Sequence, residues 1–379
     1  MTQVEEEDRS AVLEGLPPSA WMRHGVSDPD NSVAILGKKG GVGKSSLTTM
    51  LADAAVRFGL NVLGIDGDPQ GNLSFAFDNE VSMVPTGKTL LGGKVEEIPD
   101  RLTIVEVLDA DQEGVVDEGF EIAGWRYNPD AEFTRGGPLV KGKVGTLGIV
   151  PAYKALENIS RGWGLQDVRR LDKALNQPLE PGGIVPRVRW DITLTDMLPG
   201  GADLARAFLL AQRRYLLLTT AEPFGVKAIA DTLEFARDVR DNWGSPKLTD
   251  LGLIFTSYNP QGVVTRAELG ELRQAQASGN KKVDVEIWAP RVSTRTLVPN
   301  SQGYRAPVSA FLSDSKNRAA AEELCQIAEA ILLEILKKIG HPDAEELEEL
   351  WRAAWPKLSP WATGEIGDKE IAATTKEAK

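Results

Sequence analysis

Cysteine is almost absent from this chain, with Cys325 alone in 379 residues. One cysteine cannot close an intrachain disulfide, and it falls short of the several thiolates a metal cluster usually draws from each chain. It stands in a helical pattern with Ala321, Leu324, Ile327, Ala328 and Ile331, which reads as a small buried hydrophobe. Histidine is nearly as scarce. His24 and His341 are the two present, both toward the ends, so histidine catalysis and zinc ligation have poor material. No apolar run approaches the roughly eighteen residues of a membrane span. Met1 to Val4, followed by Glu5, Glu6, Glu7 and Asp8, lacks the basic start and apolar stretch of a secretory signal, so a cytoplasmic protein without membrane attachment is expected. A basic excess is missing too. With 43 Lys and Arg against 55 Asp and Glu, the net charge of −12 argues against bulk attraction to nucleic acid and leaves only local patches.

What the chain does have is core material, at 42% apolar residues, and a repeated alternation of short apolar runs with longer helical patterns. That alternation signals βαβ units, so the expected fold is α/β, a mostly parallel sheet flanked by helices. Strands are expected at Ser32–Leu36, Asn61–Ile65, Thr146–Val150, Asp191–Thr195, Tyr215–Thr219, Leu251–Ser257 and Val283–Ile287. Helices are expected at Ser45–Phe58, Ala202–Arg213, Val226–Arg240, Val263–Ala277 and Asn317–Lys338, the last closing the sheet. One large domain over residues 32–340 accounts for this. Residues 1–31 read as a flexible acidic extension, residues 110–190 as Gly- and Pro-rich insertions, and residues 341–379 as an acidic helix, Asp343 to about Trp355, followed by a polar tail.

Between the first strand and first helix lies Lys39-Gly40-Gly41-Val42-Gly43-Lys44-Ser45-Ser46. A loop that holds a triphosphate must present many backbone N–H groups to one anion, and side chains there would block the approach; glycines remove that obstacle. Lys44 would neutralise the β and γ phosphates, and Ser45 would hold Mg2+ while opening the helix. ATP and Mg2+ are therefore the expected cofactors. At the end of the second strand, Asp66-Gly67-Asp68-Pro69-Gln70-Gly71-Asn72 places two carboxylates near that loop. One can hold magnesium-bound water and the other can orient the attacking water.

Where an ordinary phosphate loop begins with glycine, this one has Lys38, followed by Lys39. That departure resembles the deviant Walker A motif of the ParA/MinD family of dimerising P-loop ATPases. Asp66 to Asn72 resembles the family's D-x-D-P-Q-G-N segment, and Trp190 to Asp196 its Walker B strand, more loosely because threonines replace apolar residues. By this resemblance Lys39 is the signature lysine that reaches a partner's nucleotide across a dimer, Asp68 orients the water, and Asp66 and Asp196 join Ser45 about the metal. Asn259, Pro290 and Arg291 are implied beside the base.

The D-P-Q-G-N segment is similar to the ParA branch, which moves plasmids or chromosomes over the nucleoid. Members bind DNA non-specifically as ATP dimers and answer to a ParB-like partner. Glu345, Glu346, Glu348 and Glu349 would repel anionic lipid, against a MinD-type membrane helix. The resemblance implies a basic face, for which Arg295, Arg305, Lys316 and Arg318 are candidates; charge alone is equally compatible with a solvated mixed surface. A second class stays open, an ATP-dependent ligase or kinase of the wider deviant P-loop group, with a substrate pocket built from residues 110–190.

Overall fold

The computed structural model describes residues 21–22, 31–77, 81–89, 95–99, 103–108, 144–159, 163, 167–172, 187–188, 190–200, 203–223, 225–293, 295 and 297–366. The chain forms β1 (Trp21–Met22), β2 (Ser32–Leu36), α1 (Lys44–Arg57), β3 (Val62–Gly67), α2 (Asn72–Ala76), β4 (Met83–Thr89), β5 (Val95–Pro99), α3 (Ile104–Leu108), β6 (Leu147–Val150) and α4 (Leu156–Ile159). It continues with β7 (Arg187–Val188), β8 (Ile192–Met197), α5 (Asp203–Leu210), β9 (Arg214–Thr220), α6 (Gly225–Asn242), β10 (Thr249–Thr256), α7 (Val263–Ala277), α8 (Leu297–Gly303), α9 (Arg318–Ile339) and α10 (Ala344–Ala354). Six strands form one parallel sheet in the order β10-β9-β2-β8-β3-β6. The expected α/β architecture is the one found.

Strand alternation divides the core into two layers. Val33 and Ile35 of β2 face a cluster with Leu47 and Leu51 of α1 and Ile327, Ile331 and Ile335 of α9. Ala34 and Leu36 face the opposite cluster, with Phe208 of α5, Leu233 of α6 and Leu269 of α7. Helix α1 is buried nearly throughout, and two of its charged residues are paired inside the protein. Ser309 Oγ donates to Asp53 Oδ1 at 2.8 Å, and Arg57 Nη1 lies 3.0 Å from Glu329 Oε1. Both indoles of the terminal helical region, Trp351 and Trp355, donate to Glu329 Oε2, at 2.9 and 2.7 Å. The acidic C-terminal helix is thereby fastened to α9 and α1.

One expected strand is absent from the sheet. Val283, expected to begin it, instead closes a 3-10 turn over Lys281–Val283, and only Ile287 forms an isolated bridge, to Leu253. The edge of β10 is covered further along, through Leu253 N to Glu286 O, Trp288 N to Leu253 O and Val292 N to Phe255 O. Pro290 has no N–H to give between these contacts, so no continuous ladder forms. Most residues of the 1–31 extension and the 110–190 insertion lie outside the described set. Where both are described, Trp21–Met22 pairs antiparallel with Arg187–Val188.

Arg57→Ala would leave Glu329, with no exposed side-chain surface, as an uncompensated buried carboxyl whose pKa burial already raises. The expected loss is about 3–5 kcal/mol in denaturant unfolding. A raised folded pKa favours the protonated protein, so the deficit should be smaller at pH 5 than at pH 8.

Candidate active site

All six sheet strands run parallel, so their C-terminal ends gather at one edge, and β2 lies centrally between β8 and β9. Residues 37–43 leave β2 there and enter α1. Gly41 and Gly43 adopt φ of 77° and 85°, a left-handed conformation strained for residues with a Cβ. A Cβ built on Gly40 or Gly41 would meet nothing within 4 Å, so open space lies over the loop. Gly43 caps α1 without any side-chain hydrogen bond, and the first turn holds no acidic residue. Its N–H groups and the positive end of its dipole are thus available to an anion. Lys44 completes the cradle. It is 6% exposed, with Nζ 3.5 Å from Lys39 O. Burial lowers its pKa, opposed by the charges of Asp196 and Asp68.

The parallel register places Asp66 of β3 directly beside Asp196 of β8. Gly67 permits this close approach, since a Cβ there would come 2.7 Å from Asp196 O and 3.2 Å from the Phe208 ring. Asp66 is fully engaged: Oδ2 accepts from Ser74 N at 2.8 Å and Ser74 Oγ at 2.7 Å, and Oδ1 from Asp68 N at 3.2 Å. Burial nevertheless pushes its pKa up to about 6. Asp196 is buried without that relief, and neither carboxylate oxygen accepts a hydrogen bond. Burial, then the Asp66 charge, raise its pKa well above the usual carboxylate range, against the lowering influence of Ser45 and Lys44.

A buried acceptor pair without donors, facing a serine hydroxyl and a lysine, fits a hard cation. Asp196 and Ser45 are the residues that would hold Mg2+, while Asp66 is occupied by its hydrogen bonds from Ser74 and the Asp68 amide. Among the described residues no group of three or more His, Cys, Asp or Glu forms a metal cage. Mg2+ needs none, because it keeps waters and shares phosphate oxygens. Asp68, partly exposed, stands at the rim with Oδ1 accepting from Gln70 N at 2.9 Å.

Beyond the cradle the loop and the start of α1 meet four neighbours. Thr256 Oγ1 donates to Val42 O at 2.6 Å, tying the end of β10 to the loop, and Gln302 Nε2 donates to Ser46 Oγ at 3.1 Å. Lys39, half exposed, directs its ammonium to Glu222 past the end of β9, and that contact lowers the Glu222 pKa. Lys38 pairs with Asp231 at 3.3 Å.

A family model for the CobQ/CobB/MinD/ParA nucleotide-binding domain matches residues 33–307. The chain belongs to that family. It is similar to an uncharacterized protein of Mycobacterium tuberculosis, 25% identical over 336 residues, covering 86% of this chain and 88% of the relative. Similar solved structures include pNOB8 ParA bound to nonspecific DNA (16% identity, 82% of this chain and 98% of that one, TM-score 0.49). Another is cobyrinic acid a,c-diamide synthase from Mycobacterium smegmatis with bound ADP and magnesium (19% identity, 76% and 95% coverage, TM-score 0.46).

Within this CobQ/CobB/MinD/ParA chain the sequence-expected residues fall into two sets. Gly40 to Ser46 form the loop and the start of α1, Lys44 feels the charges of Asp196 and Asp68, and Asp66 lies beside Asp196. Asn259 is exposed beyond the end of β10, its Oδ1 accepting from Gln261 N at 3.1 Å, and Pro290 is partly buried on the adjoining segment. Arg291, expected beside the base, is fully buried. Its guanidinium lies 5.5 Å from the Phe255 ring centroid and 5.6 Å from that of Tyr258, and Nη1 donates to Pro290 O.

The candidate DNA-facing residues occupy one stretch but are largely compensated. Arg295 Nε donates to Glu323 at 2.9 Å, Arg318 Nε to Glu322 at 2.8 Å, and Arg305 lies 4.7 Å over the Phe75 ring. Lys316 is exposed beside Asp314, whose carboxylate accepts from Lys316 N at 3.0 Å. Counting charge along residues 285–320 overlooks Glu322 and Glu323, one turn further on. Sequence reading also passed over Ser74 and Glu222, which carry no local signal and make their contacts only in the folded chain.

Asp196→Asn should stabilise the metal-free protein at pH 8 by about 1–3 kcal/mol, because it removes a buried charge without donors. The same change should abolish the rise in melting temperature that Mg2+ and ATP together produce, which thermal unfolding with and without the pair would measure.

Proposed function

We propose that this protein is a Mg2+-dependent ATPase of ParA type that dimerises on ATP, binds DNA non-specifically in that state and is reset by hydrolysis. The observation that carries this reading is the contrast between the two loop lysines. Lys44 is buried against its own phosphate cradle, whereas Lys39 is half exposed and turned toward Glu222. An exposed ion pair contributes only about 0–1 kcal/mol, so Lys39 can exchange Glu222 for a partner's nucleotide at small cost. In a dimer it then stabilises charge developing on that phosphate.

Bound Mg2+ would supply charge neutralisation at the β and γ phosphate oxygens. The chain's own residues do the remainder. Ser45 and Asp196 orient the ion, Lys44 and the α1 N-terminus hold the triphosphate, and Asp68 accepts a hydrogen bond from the attacking water. Asn259 and Pro290 flank the base. A ParB-like partner that favours the hydrolysis-competent dimer, and a cytoplasmic, nucleoid-associated location, complete the reading. A second reading, an ATP-dependent ligase or kinase, is favoured by a cavity of about 300 Å3 beside the loop, apolar over most of its lining but edged by charged groups. Lys38, Lys39, Thr219, Glu222, Lys227 and Asp231 line it, and it could admit a small anionic substrate.

Lys39→Ala should bind ATP as a monomer and fail to dimerise or turn over. Sedimentation with a slowly hydrolysed ATP analogue decides this, and a normal dimer with normal turnover would refute the trans role of Lys39.

Asp68→Ala should bind ATP and dimerise yet hydrolyse poorly, since a transition-state contact is removed while ground-state binding is kept. In that trapped form DNA affinity should fall steeply with salt. Glu322→Gln with Glu323→Gln should raise it by freeing Arg318 and Arg295. Absence of ATP-dependent DNA binding even at low salt would shift the assignment to the ligase or kinase.

A further inference from the structure

After α10 the chain turns back across α9. Gln326, 4% exposed, clamps it on both sides: Nε2 donates to Lys357 O at 3.2 Å, and Oε1 accepts from Ser359 N at 2.6 Å. The segment then reaches the outer edge of the sheet. Trp361 meets Tyr258 edge-on, with ring centroids 6.4 Å apart and planes at 81°, and packs against both core layers. Gly364, at φ +81°, lies so close to Ala289 that a Cβ would stand 2.5 Å from the alanine Cβ.

Tyr258 and Ala289 immediately precede Asn259 and Pro290. They are also joined to the phosphate cradle. Tyr258 N donates to Val292 O at 3.0 Å, binding the two segments together, and Thr256 Oγ1 reaches Val42 O of the loop. Between Thr256 and Tyr258, Ser257 takes a φ of 49°, a conformation that costs a serine energy and persists only where its surroundings hold it. The loop secures one side of that kink and Trp361 the other.

We propose that residues 355–366 form the outer wall of the base end of the nucleotide site, with Trp361 as a positioning residue that sets base affinity and selectivity without touching the phosphates. This rests on the reading that ATP occupies the loop with its base toward Asn259 and Pro290. Loss of the Trp361 ring exposes Tyr258, now 2% exposed, and lets the Ser257 kink relax. Asn259 then leaves its place while Lys44 and the α1 N-terminus keep theirs.

The test uses the full chain carrying Trp361→Ala or Trp361→Phe, with affinities for ATP, GTP and inorganic tripolyphosphate, each with Mg2+, measured by competition. For Trp361→Ala, ATP affinity should fall about three- to tenfold, the range an edge-to-face aromatic pair commands. Tripolyphosphate affinity should be unchanged, the preference for ATP over GTP should narrow, and Trp361→Phe should restore most of the loss. If the alanine variant does not fold, Gly364→Ala, which forces the segment away from Ala289, should give the same split. Equal losses for ATP and tripolyphosphate, or no loss for either, would overturn the proposal. A wild-type protein that binds tripolyphosphate as tightly as ATP would instead overturn the underlying reading of the base site.

Discussion

Two carboxylates are set side by side, by strand register, in the dry interior at one end of a parallel sheet. Asp66 and Asp196 cannot separate without shifting β3 against β8, and Gly67 keeps the strands close where a larger residue would part them. Like charges so placed oppose folding unless cations or donors face them. Ser74 and the Asp68 amide satisfy Asp66, while Asp196 keeps only Lys44 and Ser45 for company. The consequence is an electrostatic deficit that a divalent ion held by Asp196 and Ser45 would relieve. Binding and relief of strain are then the same event.

That deficit is tolerated because the elements bearing it are fixed elsewhere. Helix α1 presents its N-terminus to the open space and buries almost every other residue between the sheet and α9. Its far end is anchored by Arg57, Glu329 and the indoles of Trp351 and Trp355. A helix held at its C-terminal end and along its flank cannot recoil when an anion is placed at its N-terminus. The cradle is therefore preorganised, so its donors can face an anion without first having to rearrange. In this sense the C-terminal helix, remote from the chemistry in sequence, supports it mechanically.

The phosphate loop and the sheet were legible in the sequence because their causes are local. Gly40, Gly41 and Gly43 answer to backbone geometry, and the apolar runs of β2, β3, β8, β9 and β10 answer to burial on both faces of a parallel sheet. Boundaries moved by one to a few residues at helix ends, where caps rather than periodicity decide. The misread element, Val283–Ile287, shows the limit. Its alternation of Val283, Val285 and Ile287 satisfies a strand pattern, yet Pro290 interrupts the pairing and the chain covers the β10 edge irregularly instead. The surroundings of a charge are likewise set by tertiary neighbours. Arg295 and Arg318 look like a basic face until α9 brings Glu323 and Glu322 beside them.

Lys38 and Lys39 add one further constraint. Neighbouring lysines repel, and both stand beside a cradle that already contains Lys44, so three cations share one loop. Asp231 and Glu222 take one each, and both acids belong to the segment that follows β9. A nucleotide brings negative charge to the loop, and the loop's need for those two carboxylates drops accordingly. Both pairs are exposed, so each is worth little by itself, whereas Lys44 is buried.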